Sequence, residues 1–182
     1  MVLVGESAPD FTLPRDGGGT ICLSALRPGK VVLYFYPKDD TPGCTTEAID
    51  FTRLSADFAA ADTVVVGLSR DSTADHDRFC RKHGLGVILA SDADTDTCER
   101  YGVWVEKNMY GRKRMGIERA TFLIDGAGRV IDRIGLNSTG VIDAALPEAL
   151  PTPLYARVGD LLFFLMLIAG AFAGFFAGRR GG

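Results

Sequence analysis

Residues 31–48 read VVLYFYPKDDTPGCTTEA. Six apolar, β-branched or aromatic residues, Val31 to Tyr36, run without interruption between the breakers Pro28-Gly29 and Pro37. A run this short and continuous suits a strand buried on both faces. Beyond it, Thr45 to Ala61 places apolar residues at 48, 49, 51, 54, 58 and 59, the spacing of one helical face. Thr63 to Leu68, TVVVGL, is a second buried-strand run. Strand, crossover helix and strand make a βαβ unit, which sets the class as α/β.

The pattern extends in both directions. Ser72 to Gly84 reads as a helix with Ser72 or Thr73 as N-cap and Gly84 as its stop, and Val87 to Ala90 is a further short strand. A shorter helix starts near Asp94 or Thr95 and ends by Gly102, after which Val103 to Glu118 reads mostly as loop. Arg119 to Ile124 and Val130 to Ile134, joined by Asp125-Gly126-Ala127-Gly128, form a hairpin. Phe11 to Leu13 and Thr20 to Leu23, separated by a Gly-rich turn, form another at the sheet edge. The sheet is therefore mixed, and an amphipathic stretch at Val141 to Leu150 predicts a last helix before Pro151-Thr152-Pro153.

The chain has 182 residues, 47% apolar and 24% charged, which fits one globular domain and excludes disorder and collagen-like repetition. Residues 1–160 hold all 23 acidic and 18 of the 20 basic side chains, a net negative charge that does not favour nucleic acid. Four cysteines, at 22, 44, 80 and 98, are too few and too scattered for a disulfide scaffold or a zinc ribbon. The N-terminus carries no basic segment followed by an apolar core, so a domain made in the reducing cytosol is expected. There, a working cysteine cycles chemically instead of bracing the fold.

Cys44 is the thiol best placed for chemistry, because it falls on the first turn of the helix that follows a buried strand. Free N–H groups and the positive end of the helix dipole favour a thiolate there. Thr41, three residues earlier, offers a hydroxyl, and a nearby guanidinium would complete such a site. PxxxTxxC at 37–44 resembles the active-site loop of peroxiredoxins. With APDFTLPRDGG (8–18), YGVWVEK (101–107) and ERATFLID (118–125), the chain from about Gly5 to Gly140 is similar to the bacterioferritin comigratory protein, or peroxiredoxin Q, branch. The resemblance implies a thioredoxin-like fold and a thiol peroxidase that needs no cofactor. It makes Cys44 the peroxidatic residue, Thr41 a hydrogen-bond donor to sulfur and peroxide, and Arg119 the active-site arginine. Pro37 becomes the pocket-shielding proline and Glu47 the acidic member of an arginine network.

Many members of that branch carry the resolving cysteine five residues after the peroxidatic one, a position held here by Ile49. A second arrangement places it on the next helix, and Cys80 fits that type, with Arg81 and Lys82 expected to favour its thiolate. An intramolecular Cys44–Cys80 disulfide follows, reduced by a thioredoxin-like donor. Two intact helices seldom bring such thiols together, so local unwinding is required. Rival readings are a one-cysteine peroxidase served by an external thiol and a membrane-tethered redox sensor. Cys22 and Cys98 read as apolar filler. His76, Cys80 and His83, at i, i+4 and i+7, raise a metal site without an evident fourth ligand, and helical histidines of this kind are usually solvated. Asp92, Asp94 and Asp96 read as a solvated turn.

Leu161 to Gly178 is an 18-residue run without charge that takes five of the eleven Phe. As a helix it would span roughly 27 Å, close to the hydrocarbon core of a bilayer, with Arg179-Arg180 as an interfacial stop. The expected division is a peroxiredoxin domain at 1–150, a linker at 151–160, a transmembrane helix at 161–178 and a basic tail at 179–182. A tail anchor holding the domain on the cytoplasmic side of the membrane is the favoured topology. Gly170, Gly174 and Gly178 share one helix face and predict a monomer or a weak dimer through the tail. The segment from Leu150 to Gly170 also resembles the end of bacterial apolipoprotein N-acyltransferase, which implies only a similar membrane segment.

Overall fold

A computed structural model describes residues 1–109 and 112–135. The chain first forms a small antiparallel ribbon, β1 (Thr12–Pro14) with β2 (Thr20–Cys22). There follow β3 (Lys30–Phe35), α1 (Pro42–Arg53), α2 (Ser55–Ala60), β4 (Thr63–Ser69), α3 (Thr73–His83), β5 (Ile88–Ser91) and α4 (Thr97–Arg100). A second ribbon, β6 (Trp104–Met109) with β7 (Arg112–Ile117), leads into β8 (Ala120–Ile124) and β9 (Val130–Gly135). The central sheet has the order β5-β4-β3-β8-β9, parallel across β5, β4 and β3 and antiparallel across β3, β8 and β9. This is the mixed, thioredoxin-like α/β arrangement.

The reason lies in β3. Its alternate residues feed two cores: Val31, Leu33 and Phe35 enter one face, and Val32, Tyr34 and, just past the strand, Tyr36 enter the other. Fully burying side chains of this size contributes about 1.5–3 kcal/mol each. Gly67, which lies beside Tyr34 on β4, is required, because a Cβ there would sit 2.5 Å from the Tyr34 ring and 2.9 Å from Leu89. α3 begins at an N-cap formed by Ser72, whose hydroxyl accepts from the Asp75 N–H, and stops at Gly84 in the left-handed conformation (φ 63°).

Three expectations need correction. The single helix expected over Thr45 to Ala61 is two, α1 and α2, joined at Leu54; Phe51 and Phe58 stay in ring contact across the kink, centroids 5.8 Å apart. Val103 to Glu118 is mostly the β6–β7 ribbon, not a loop. Only its base, Trp104 and Ile117, packs on the core; the strands beyond it are largely solvated and show no apolar alternation, and a cross-strand Glu106–Lys113 pair at 3.0 Å decorates them. Asp92 is buried, not solvated, and accepts from the N–H groups of Thr97 and Cys98 at 2.9 and 2.8 Å, closing the start of α4.

No helix among the described residues is long and apolar enough to cross a membrane. The helix expected at Val141 to Leu150, the apolar run Leu161 to Gly178 and the basic tail all lie outside the described residues.

Candidate active site

β3 delivers the chain into the loop Tyr36 to Thr41, and α1 begins at once, with Thr41 as its N-cap, Pro42 at the first helical position and Cys44 on the first turn. Cys44 is buried, with only 2% of its surface exposed. Arg119 reaches it from the opposite direction. The register Phe35↔Ala120 places Arg119 one residue before β8, level with the end of β3. From there the guanidinium donates through Nη2 to Cys44 Sγ at 3.1 Å and through Nη1 to Glu47 Oε2. Glu47 lies one turn beyond Cys44, so one helix face presents both groups to a single arginine. Burial raises the Glu47 carboxyl above the ordinary range, and Arg119 opposes that rise.

A groove of about 430 Å³ opens beside this cluster, lined by Gly43, Thr46, Glu47, Phe51, Leu54 and Arg119 among others. Its lining combines charged side chains, Glu47, Asp50 and Arg119, with apolar ones, Phe51 and Leu54. Pro37 is exposed between β3 and the loop. Thr41 differs from expectation: its hydroxyl donates to the Lys38 carbonyl at 3.1 Å, not to the sulfur, so in this state it closes the loop turn.

Cys80 lies on α3, and its side chain packs against the apolar cluster that contains Cys44, Tyr34 and Tyr36. All four cysteines are free thiols. Burial, with Asp16, Asp39 and Asp77 nearby, pushes the Cys80 thiol up to about 12. Its Sγ is 3.9 Å from Asp16 Oδ2. The help expected from Arg81 and Lys82 is therefore absent: both are exposed, because the next residues on a helix point away from their predecessor, and Lys82 pairs with Asp40. Cys98 is fully buried, and burial together with Asp92 drives its thiol far above the ordinary range.

Residues 4–133 match the model of the AhpC/TSA family. A Coxiella burnetii protein named after peroxiredoxin Bcp is 52% identical over 125 residues, covering 69% of this chain and 83% of its own. Peroxiredoxin Bcp of Bacillus subtilis is 48% identical over 128 residues, covering 70% and 82%. This chain belongs to the peroxiredoxins, in their Bcp/PrxQ branch. Among solved structures, peroxiredoxin Q of Xanthomonas campestris superposes with a TM-score of 0.66 at 45% identity, over 69% of this chain and 79% of that one. A cysteine-to-serine mutant of PrxQ from Xylella fastidiosa reaches 0.70 at 33% identity, over 93% and 98%. As a peroxiredoxin the chain is an enzyme, a thiol-dependent peroxidase.

One buried cluster in the loop that precedes Cys44 is not legible in the motifs. Asp39, in the middle of PKDD, is buried, and so is His76 of α3, contrary to the solvated helical histidine expected. Tyr36 Oη donates to Asp39 Oδ1 and His76 Nδ1 to Asp39 Oδ2, both at 2.7 Å. A carboxylate only accepts, which fixes the proton of His76 on Nδ1. His76 Nδ1 is bonded to Asp39 and His83 Nε2 to Asp40 at 2.7 Å, and among the described residues no group of three His, Cys, Asp or Glu side chains is placed to hold a metal ion. The only hint in the sequence is the aromatic Tyr36 three residues before a double aspartate.

Proposed function

We propose that Cys44 is the peroxidatic residue and Cys80 the resolving residue of this peroxidase, and that hydrogen peroxide and organic hydroperoxides are its substrates. The Cys44 thiolate attacks one oxygen of the O–O bond. That oxygen stays on sulfur as a sulfenic acid, and the other departs with a proton as water or an alcohol. The observation that carries this reading is the Arg119 donor 3.1 Å from a buried Cys44 Sγ. A fixed cation there favours the thiolate and meets the charge that builds on the peroxide oxygens. Glu47 holds the guanidinium; Thr41, once its hydroxyl turns from the Lys38 carbonyl, donates to the peroxide, and Pro37 shields the pocket. The apolar wall at Phe51 and Leu54 would accept an alkyl tail. A Xanthomonas campestris bacterioferritin comigratory protein, 43% identical, is described as reducing alkyl peroxides.

Cys80 then attacks the sulfenic sulfur, forming the disulfide and releasing water, and a thioredoxin-like dithiol reduces it. Two structures of Xanthomonas campestris peroxiredoxin Q carry single cysteine-to-serine changes 36 positions apart, the separation of Cys44 and Cys80. Catalytic consumption of peroxide with thioredoxin, its reductase and NADPH tests the reading. Oxidation without turnover would favour the sensor instead.

Two outcomes are expected at Cys80. Cys80→Ser should leave the first oxidation intact, halt turnover with thioredoxin and drive Cys44 to sulfinic acid in excess peroxide, read by intact mass. A persisting thioredoxin-dependent rate would support the one-cysteine rival. The second outcome concerns pH. The folded chain holds the Cys80 proton up to about 12, whereas an opened chain releases it near the ordinary value, about 8.5. A raised folded value stabilises α3 fully below about 8.5 and loses that contribution as pH climbs toward the folded value. Disulfide formation should therefore accelerate as pH rises past about 8.5, measured by rapid quench and alkylation.

The proposed division is a catalytic domain at 1–150, a linker at 151–160, a membrane helix at 161–178 and a basic tail, with the domain monomeric or weakly dimeric. Its support is the uncharged run Leu161 to Gly178. Flotation of the full-length chain with liposomes, lost on deletion of 161–182, is the expected result, and equal behaviour of both chains would contradict it.

A further inference from the structure

We propose that His76 is a positioning residue: through Asp39 it latches α3, the helix of Cys80, to the loop that launches Cys44, and so sets how fast the sulfenic acid is resolved. This rests on the two-cysteine reading above.

The latch has two anchors on α3, one on each side of Cys80. At the first, both oxygens of buried Asp39 are taken, Oδ1 by Tyr36 Oη and Oδ2 by His76 Nδ1, each at 2.7 Å. The Asp39 N–H donates in turn to Asp71 Oδ2 at 2.8 Å, an oxygen that also accepts from Ser69 Oγ at 2.8 Å, which ties the loop to the end of β4. At the second anchor, Asp40 accepts from Lys82 Nζ and His83 Nε2 in the last turn of α3. The two anchors differ in worth. Exposed pairs such as Asp40–Lys82 contribute little, whereas a buried carboxylate that loses a donor keeps an unmet desolvation cost.

Cys44 and Cys80 sit on two intact helices as free thiols, Cys44 in the first turn of α1 and Cys80 toward the C-terminal end of α3, so the disulfide requires both helices to open locally. α3 cannot lift Cys80 away from Asp16 and toward Cys44 without stretching the His76–Asp39 bond four residues earlier. The same bond holds the loop from which α1 starts, so it favours the peroxide-reactive arrangement and opposes the resolving one. His76 touches neither sulfur. Its influence on the chemistry passes through Asp39, and weakening it should speed resolution while sparing the attack on peroxide.

The test uses full-length protein, one equivalent of hydrogen peroxide, rapid acid quench and intact mass after alkylation, which resolves sulfenic acid formation from disulfide formation. His76→Leu removes the donor, His76→Asn keeps one near the Nδ1 position, and Tyr36→Phe removes the other arm with little change in packing. We expect disulfide formation to rise about 10-fold in His76→Leu and about 3-fold in Tyr36→Phe, the loss of one buried charge-assisted and one weaker hydrogen bond. His76→Asn should return most of the way to wild type. Sulfenic acid formation should stay within about 2-fold throughout, and sulfinic acid in excess peroxide should fall in step with faster resolution. Should His76→Leu fail to fold, Tyr36→Phe decides alone. A wild type that forms the Cys44–Cys80 disulfide beside variants that resolve no faster would overturn the latch and leave the two-cysteine reading standing. A wild type that forms no such disulfide overturns both.

Discussion

Cys44→Ser should reduce peroxide consumption to the rate of the solution background, a loss on the order of 10⁴-fold or more, as when an enzyme loses its nucleophile. In the proposed cycle the Cys44 sulfur takes one oxygen from the peroxide and gives it up as water when the disulfide forms. A serine hydroxyl stays neutral near pH 7 and has no matching oxidation ladder. The replacement is nearly isosteric, and Arg119 Nη2, now 3.1 Å from sulfur, would find an oxygen acceptor in almost the same place. The fold should therefore survive. A thermal midpoint close to wild type, together with absent NADPH oxidation in the thioredoxin-coupled assay, is the expected pair of results. Residual turnover through Cys22, Cys80 or Cys98 would contradict the assignment.

Arg119→Met should slow the first oxidation by about 10²–10³-fold, the scale on which a preorganised donor to a developing negative charge is missed. Methionine keeps the length and the apolar stem, so the loss isolates the guanidinium. That group holds Cys44 and Glu47 at once, one nitrogen each. Arg119→Lys keeps the charge without the two-pronged geometry and should recover only part of the rate. Stopped-flow measurement of sulfenic acid formation reads the effect directly. A second consequence follows from Glu47, whose carboxyl burial already raises while Arg119 opposes the rise. Without Arg119 the folded value climbs further. A carboxyl with a raised folded value stabilises the fold below its unfolded value, near about 4.3, and loses that contribution as pH rises. The variant's thermal midpoint should thus fall further below wild type at pH 7 than at pH 5.

What the residues disclosed in advance was governed by where each side chain finds its partners. β3 and β4 were legible because continuous apolar runs have few alternatives, and α3 because Ser72 and Gly84 mark its ends chemically. The β6–β7 ribbon was not, since a solvated ribbon leaves no apolar period to read. At the site, Cys44, Arg119 and Glu47 were recognisable through the motifs that carry them, although 72 positions separate Glu47 from Arg119 and only the Phe35↔Ala120 register brings them together. Asp39 and His76 escaped notice for the same physical reason in reverse. A charged loop residue and a helical histidine are usually solvated, and their burial depends on a partner 37 positions away. The surroundings of Cys80 were misjudged because sequence neighbours, Arg81 and Lys82, matter less on a helix than Asp16, which arrives from a distant turn.

Cys44 and Cys80 are proposed to act as one redox pair. Intact-mass analysis of the reduced, full-length chain after one equivalent of hydrogen peroxide tests it most directly, with Cys44→Ser and Cys80→Ser alongside. The wild type should lose two hydrogens, Cys44→Ser should not change, and Cys80→Ser should gain one oxygen. A wild type that instead keeps the added oxygen as a stable sulfenic acid would contradict the pairing.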